Sequence, residues 1–179
     1  MKLKYIKVNK DYRNNSKLKH LYEHAFPPIE RPPFKILANF KNNELYAVEY
    51  NSTFIGLVDL VIYQDLVYLF FLAIKKTYRH KGYGTKILKY ISEKYSSYRI
   101  FLMAEEPDIE CDNKLERINR IKFYESNGFK VSNTHVIEYG VEYRILNRYK
   151  EASKEEFLKI MKYLIGESYY NKYYIKNVK

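Results

Sequence analysis

Apolar and polar positions divide the chain into short strand-like and helix-like stretches. Residues 3–8 (LKYIKV) alternate between charged and apolar side chains, the period of a half-buried strand. From Ser16, a residue suited to cap a helix, Leu18, Leu21, Tyr22 and Ala25 recur at the spacing of one helix face. Pro27, Pro28, Pro32 and Pro33 then break the chain, and the last two can open a second short helix over residues 34–40. Residues 45–50 and 53–63 read as strands joined by Asn51 and Ser52, a good hairpin turn. Residues 67–74 are apolar throughout, as in a strand buried on both faces. A basic, glycine-containing turn leads into a helix over residues 84–95, with Ile87, Leu88, Ile91 and Tyr95 on one stripe. Residues 99–104 form the next strand. A helix over residues 113–126 follows, closed by Asn127 and Gly128 as a left-handed C-cap. Residues 130–138 and 141–146, joined through Tyr139 and Gly140, read as a closing hairpin. Ser153 and Glu156 form a capping box for a last helix carrying Phe157, Met161, Leu164 and Ile165.

This succession mixes antiparallel hairpins with two strand–helix units and predicts one mixed α/β layer structure, with helices on both sides of a sheet. No repeat or low-complexity linker interrupts it. Residues 1–165 are therefore expected as a single domain, and residues 166–179, rich in Tyr and Lys, are left without an element. A length of 179 residues suits one domain, and 46% hydrophobic residues exclude a largely disordered chain. The longest uncharged apolar run is too short to span a bilayer, and the start MKLKYIKVNK has no signal-peptide core. A cytoplasmic protein without membrane contact is expected. Cys111 is the one cysteine, and His20, His24, His80 and His135 show no metal-ligand spacing, so no metal is expected. The net charge of +11 raises the prospect of a nucleic-acid partner. The chain carries no recognised nucleic-acid motif, however, and its abundant Lys, Asn, Ile and Tyr fit a codon bias toward A and T.

The placement of charge says more than its sum. Between Lys75 and Lys86 stand five cations (Lys75, Lys76, Arg79, Lys81, Lys86) and no carboxylate. Their core is Arg79-x-x-Gly82-x-Gly84, between the buried strand and a helix. The glycines remove Cβ atoms and permit positive φ, and the free N–H groups of a helix start attract an anion. A pyrophosphate fits this chemistry. The turn lacks the Gly-Lys-Ser/Thr ending of a Walker A loop, and His80 stands where a Rossmann fingerprint needs glycine. Taken alone, it also fits a surface turn whose glycines only punctuate the helix.

In context the turn resembles the acyl-CoA pyrophosphate loop of the GNAT superfamily of N-acetyltransferases, Gln/Arg-x-x-Gly-x-Gly/Ala between a strand and a helix. Phe123 and Tyr124, followed after three residues by Gly128 and Phe129, resemble that superfamily's second hallmark. The two motifs stand in the expected order and together cover residues 67–129. The resemblance implies a mixed α+β fold with a mostly antiparallel central sheet of about six or seven strands flanked by helices. It implies direct transfer of an acetyl group from acetyl-CoA, the cosubstrate, to a primary amine on a small molecule or peptide. Backbone amides from Arg79, His80, Lys81, Gly82, Tyr83, Gly84 and Thr85 would hold the pyrophosphate. Leu72, Ala73 and Ile74 would pair with the pantetheine arm and polarise the thioester carbonyl. Tyr124 matches the tyrosine that protonates the departing thiolate.

One position departs from the common pattern. Arg117 and Arg120 stand where many relatives have Asn-x-x-Ala-x-x, and Asn113 is the substitute candidate for the CoA contact. Arg117 reads as solvated helix surface, with Arg120 left open. No acid lies in residues 67–74, so Glu105 and Glu106 are the nearest candidates for the general base. Residues 105–116 hold six carboxylates (Glu105, Glu106, Asp108, Glu110, Asp112, Glu116) against Lys114, a local charge of −5 that would draw a cationic amine. A solvated acidic loop is the plainer reading of the same run. Glu30 and Arg31 lie where the resembled family lines its acceptor site. Cys111, among carboxylates, is a poor thiolate nucleophile. Two other readings stay open at this level. One is a catalytically silent CoA-binding module or a longer-chain acyltransferase, the other a nucleic-acid binder. The last hairpin and helix could build a homodimer.

Overall fold

The protein is seen in a computed structural model that describes residues 2–9, 12, 14–107 and 111–179. The strands are β1 (Lys4–Lys7), β2 (Glu44–Tyr50), β3 (Thr53–Tyr63), β4 (Leu66–Ile74), β5 (Arg99–Glu105), β6 (Lys130–Glu138) and β7 (Val141–Arg148). The helices are α1 (Asn15–Ala25), α2 (Phe34–Leu37), α3 (Tyr83–Lys94), α4 (Lys114–Ser126) and α5 (Lys154–Ile165). The seven strands form one sheet in the order β1-β2-β3-β4-β5-β7-β6. Every pairing is antiparallel except β4 with β5. This is the mixed, mostly antiparallel α+β architecture expected.

Local chemistry accounts for most element limits. Asn51 and Ser52 take φ of 47° and 60°, the left-handed pair that turns a two-residue hairpin with the twist of its strands. Ser153 accepts from the Glu156 N–H while the Glu156 carboxylate accepts from the Ser153 N–H, completing the capping box. Two boundaries differ from expectation. Helix α1 starts after Asn14 rather than Ser16, with no side-chain cap. The second helix is a single turn, because Ala38 and Asn39 leave the helix path in a turn.

Helices α3 and α4 cover one face of the sheet, burying Ile87, Leu88, Ile91, Tyr95 and Tyr124 against β-strand residues including Val67, Leu102 and Leu146. On the opposite face, α1 and α2 pack over β2, β3 and β4 through Leu18, Tyr22 and Leu37. Helix α5 packs there over Phe101, Val136 and Ile145 through Phe157, Ile160 and Met161. Residues 166–179, unassigned from sequence, place Tyr170 and Tyr174 in the α5 cluster. They then run beside β6, where Ile137 and Lys179 exchange backbone hydrogen bonds of 2.9 and 2.8 Å. No helix among the described residues is long and apolar enough to cross a membrane.

Candidate active site

The parallel pair β4–β5 is hydrogen-bonded only through Leu66–Arg99, Val67–Ile100 and Tyr68–Phe101. Beyond these, β4 stays paired with β3 and β5 with β7, and the two strands part. The closed end is held by Arg99, which donates to Asp65 at 2.7 and 3.1 Å and to Glu156 at 2.6 and 3.1 Å. The open end carries the candidate chemistry. Residues 66–69 are buried, but Phe70, Leu72 and Ile74 are half-exposed, so the expectation of burial on both faces fails along the open half. No strand among the described residues covers that edge.

Ladder parity settles which backbone groups face the opening. The Lys75 N–H donates to Ile55 O on β3 at 2.9 Å, so alternation along β4 turns the N–H and C=O of Leu72 and Ile74 to the other edge. The Arg79 Nε donor agrees, reaching Ile74 O at 3.0 Å from outside the sheet. Ala73 faces β3 instead, so its amide is not available to a ligand in the opening. Upstream, the register with β3 slips between Asp59 and Leu60, leaving Phe70 as a bulged residue on β4.

The basic turn closes the open end. His80 and Gly82 both have positive φ, 57° and 76°, and Gly82 caps α3. A Cβ on Gly82 would meet nothing within 4 Å, so this glycine serves backbone conformation and open space. Gly84 is different: its Cβ would lie 2.8 Å from Phe123 Cζ, so it is set by the approach of α4 to α3. The α3 start, with N–H groups of Tyr83, Gly84 and Thr85 lacking helical partners, has no acid in its first turn. Lys81 folds back onto Thr77 O at 2.8 Å, beside Arg79 and the exposed Lys76.

Tyr124, on α4, is buried against Phe123 and Phe129. Burial pushes its phenol up to about 12, while the Arg120 charge pulls it down. It therefore keeps its proton at neutral pH, and Arg120 is the neighbour that eases its loss. The Tyr124 hydroxyl makes no hydrogen bond among the described residues.

The carboxylates expected to serve as base are tied up. Both oxygens of Glu105, at the end of β5, are held by arginines, Arg117 at 2.9 Å and Arg120 in a short contact. Glu106 is paired with Arg144 of β7. Taking a proton would require Glu105 to release a guanidinium, while Glu106 has one oxygen in its pair with Arg144. Arg117 is not solvated surface as expected: its side chain is 18% exposed and also donates to Asn113 Oδ1 and Glu106 O. Asn113 is thus engaged with Arg117. The acidic stretch is less negative in space than in sequence, because Arg117 and Arg120 just beyond it and Arg144 of β7 fold onto Glu105 and Glu106; Asp108 and Glu110 lie outside the described residues.

Glu30 and Arg31 part company. Arg31 turns inward, donating to Phe26 O at 2.9 Å and Glu23 O at 3.4 Å over the Tyr22 ring, so it holds the proline-framed turn. Glu30 is half-buried and has no ion-pair partner among the described residues. Burial pushes its carboxyl up to about 7, helped by the Glu105 charge, with Arg120 and Arg117 opposing and Glu138 adding to the rise. Sequence reasoning missed Tyr143, which pairs with Glu105 across β5–β7, and Glu138, which accepts from the Tyr174 hydroxyl at 2.5 Å. Burial raises the Tyr143 phenol, with Glu30, Glu138 and Glu105 contributing. One mouth thus gathers Glu30, Glu105, Glu138, Arg117, Arg120 and Tyr143, and Arg120 links it to Tyr124.

A family model described as an acetyltransferase (GNAT) domain matches residues 41–131, just over half the chain. No curated protein matches it by sequence. Among solved structures, a putative GNAT-family acetyltransferase from Bacteroides thetaiotaomicron superposes with a TM-score of 0.75 at 17% identity, covering 96% of this chain and 98% of that one. A GNAT-family acetyltransferase from Elizabethkingia anophelis, solved with acetyl-CoA bound, gives 0.59 at 12% identity over 83% and 98%. The aminoglycoside 6′-N-acetyltransferase from Enterococcus faecium gives 0.62 at 13% over 86% and 100%. At these identities the likeness is one of fold.

Proposed function

The chain belongs to the GNAT family of acetyltransferases, acyl-CoA N-acyltransferases, and from that premise we propose that it acetylates a positively charged primary amine using acetyl-CoA. The observation that carries this reading is the interrupted β4–β5 pairing, which leaves an unpaired strand edge leading from a basic glycine turn to an acid-rich mouth. The cosubstrate fits the residues present. The Gly82 turn is open, the α3 N-terminus offers N–H groups without a competing acid, and Leu72 and Ile74 turn main-chain groups toward the opening. Bound acetyl-CoA supplies an acyl group activated as a thioester.

The chain's own residues then divide the work. Amides at residues 82–85, with Arg79 and Lys81 nearby, hold the diphosphate, and the β4 edge fixes the pantetheine arm as an added strand would be fixed. The edge amides of Leu72 and Ile74, with the bulge at Phe70, direct N–H dipoles at the carbonyl. Tyr124 gives its proton to the leaving sulfur. Its phenolate does not persist, because the nitrogen that becomes an amide carries a proton it must lose, and Arg120 stabilises the charge meanwhile. A cationic acceptor is favoured by the carboxyl groups of Glu30 and Glu138 at the mouth, which have no ion-pair partner among the described residues; the Enterococcus faecium enzyme of this fold also acts on an aminoglycoside.

The test is release of free thiol from acetyl-CoA across a panel of cationic and neutral amines, for the native protein and Tyr124→Phe. Discharge with cationic amines is expected. Tyr124→Phe should lower kcat about 100-fold or more with acetyl-CoA affinity within about twofold. Unchanged turnover at saturating substrate would remove Tyr124 from the role of acid.

A further inference from the structure

We infer that Glu30 is the group that takes the ammonium proton from the acceptor amine. The inference rests on the acetyl-transfer reading of the cleft and supplies the base that reading leaves open. Among the described residues, four carboxylates at or beside the mouth are candidates. Glu105 is held at both oxygens by Arg117 and Arg120, Glu106 is paired with Arg144, and Glu138 accepts from Tyr174. Glu30 alone among them has neither an ion pair nor a side-chain hydrogen bond among the described residues.

Its setting is rigid without being neutralised. The turn Pro28–Glu30 lies between Pro27 and the Pro32–Pro33 pair, where fixed φ limits backbone freedom. Tyr22 donates to Pro32 O at 2.9 Å, and Arg31 closes the turn on Phe26 and Glu23. Arg31 sits next to Glu30 in sequence, yet its Nε and one Nη donate to carbonyls.

Charged groups face Glu30 from each neighbouring element: Glu105 of β5, Arg117 and Arg120 of α4, Glu138 of β6, and Tyr143 of β7. Both arginines serve Glu105 first. The balance leaves Glu30 with an affinity for protons near neutrality, the range in which a general base works best. The proton inventory closes. The ammonium gives one proton to the Glu30 carboxylate, which passes it to water. The freed lone pair forms the C–N bond as the C–S bond breaks, and the sulfur takes the Tyr124 proton. The nitrogen's surplus proton restores Tyr124, leaving amide, free thiol and one proton in solution.

The experiment compares native protein, Glu30→Gln and Glu30→Asp with acetyl-CoA and two amines of similar size. Benzylamine is an ammonium at neutral pH; aniline is already neutral. With benzylamine, native kcat/KM should rise about tenfold per pH unit and level near pH 7. Glu30→Gln should lose about 100-fold at pH 7, with its rise displaced to the pKa of the amine itself. Glu30→Asp should retain the limb at reduced rate. With aniline, Glu30→Gln should lose far less than with benzylamine, so that the loss is specific to the amine that arrives protonated. A Glu30→Gln protein with an unchanged limb, or with the same loss on both amines, would overturn the assignment. If neither amine is accepted, the carboxyl carbon resonance of Glu30 decides: titration near 7 supports the role and titration below 5 refutes it. Failure of native protein to bind acetyl-CoA in calorimetry would instead sink the acetyl-transfer reading.

Discussion

Asp59 offers a test of the fold that does not depend on catalysis. It is the one charged residue in the apolar strand β3 and is fully buried. It has no ion-pair partner among the described residues: Asn43 Nδ2 donates to its two oxygens at 3.0 and 3.2 Å. Burial pushes its carboxyl from 3.8 up to about 7, with the Asn43 and Leu60 hydrogen bonds only partly opposing. The folded state therefore binds the proton more tightly than the unfolded chain. Stability from this group is whole below about pH 4 and falls as pH rises from 4 toward 7. At about 1.4 kcal/mol per pH unit, ionised Asp59 costs the fold about 4 kcal/mol at pH 8, of which roughly 2–3 kcal/mol accrues between pH 5 and 8. Asp59→Asn keeps the shape and removes the titration. Urea unfolding at both pH values should show the variant gaining roughly 2–3 kcal/mol on the native protein, or roughly 5–10 °C in Tm. Glu30 and Glu138, also raised by burial, occur in both proteins and cancel. Parallel pH profiles for the two would refute the argument.

Two further perturbations bear on the site's framework. Gly84→Ala places a methyl 2.8 Å from Phe123 and should destabilise by about 1–2 kcal/mol, with Phe123→Leu recovering part of the loss; strictly additive denaturation free energies would deny the contact. Glu105→Ala leaves Arg117 and Arg120 without their shared carboxylate and should cost about 3 kcal/mol in urea unfolding. An unchanged unfolding free energy would deny the buried pair its structural weight.

The backbone was legible because its signals are local. Alternation marked the strands, Asn51-Ser52 and Tyr139-Gly140 the hairpins, and Ser153 with Glu156 the start of α5, each a matter of a few neighbouring residues. The splay of β4 from β5 was not visible in this way. A run of apolar residues reads the same whether another strand or a ligand covers its far edge, and only the half-exposure of Phe70, Leu72 and Ile74 separates the two. Gly82 and Gly84 likewise read alike in sequence, though one serves an open left-handed turn and the other the approach of Phe123. The tail hid its place because Tyr170 and Tyr174 pack on α5 and β6, with no period of their own.

Charge was the least legible property, and the reason is physical. Summing charges along residues 105–116 treats sequence neighbours as the ones that matter, whereas a carboxylate's behaviour depends on what lies within a few ångströms. Arg117 and Arg120 look like one face of an ordinary helix, and Arg144 like the outer side of a hairpin; folding brings all three onto Glu105 and Glu106. The most acidic segment thereby loses the groups that looked best suited to accept a proton. A single glutamate in a proline-rich turn, unremarkable by local charge, is left unpaired among buried neighbours. In this cleft, burial makes Glu30 basic and the pairing of the arginines leaves it so: each guanidinium committed to Glu105 is one less free to hold Glu30 in its ionised form.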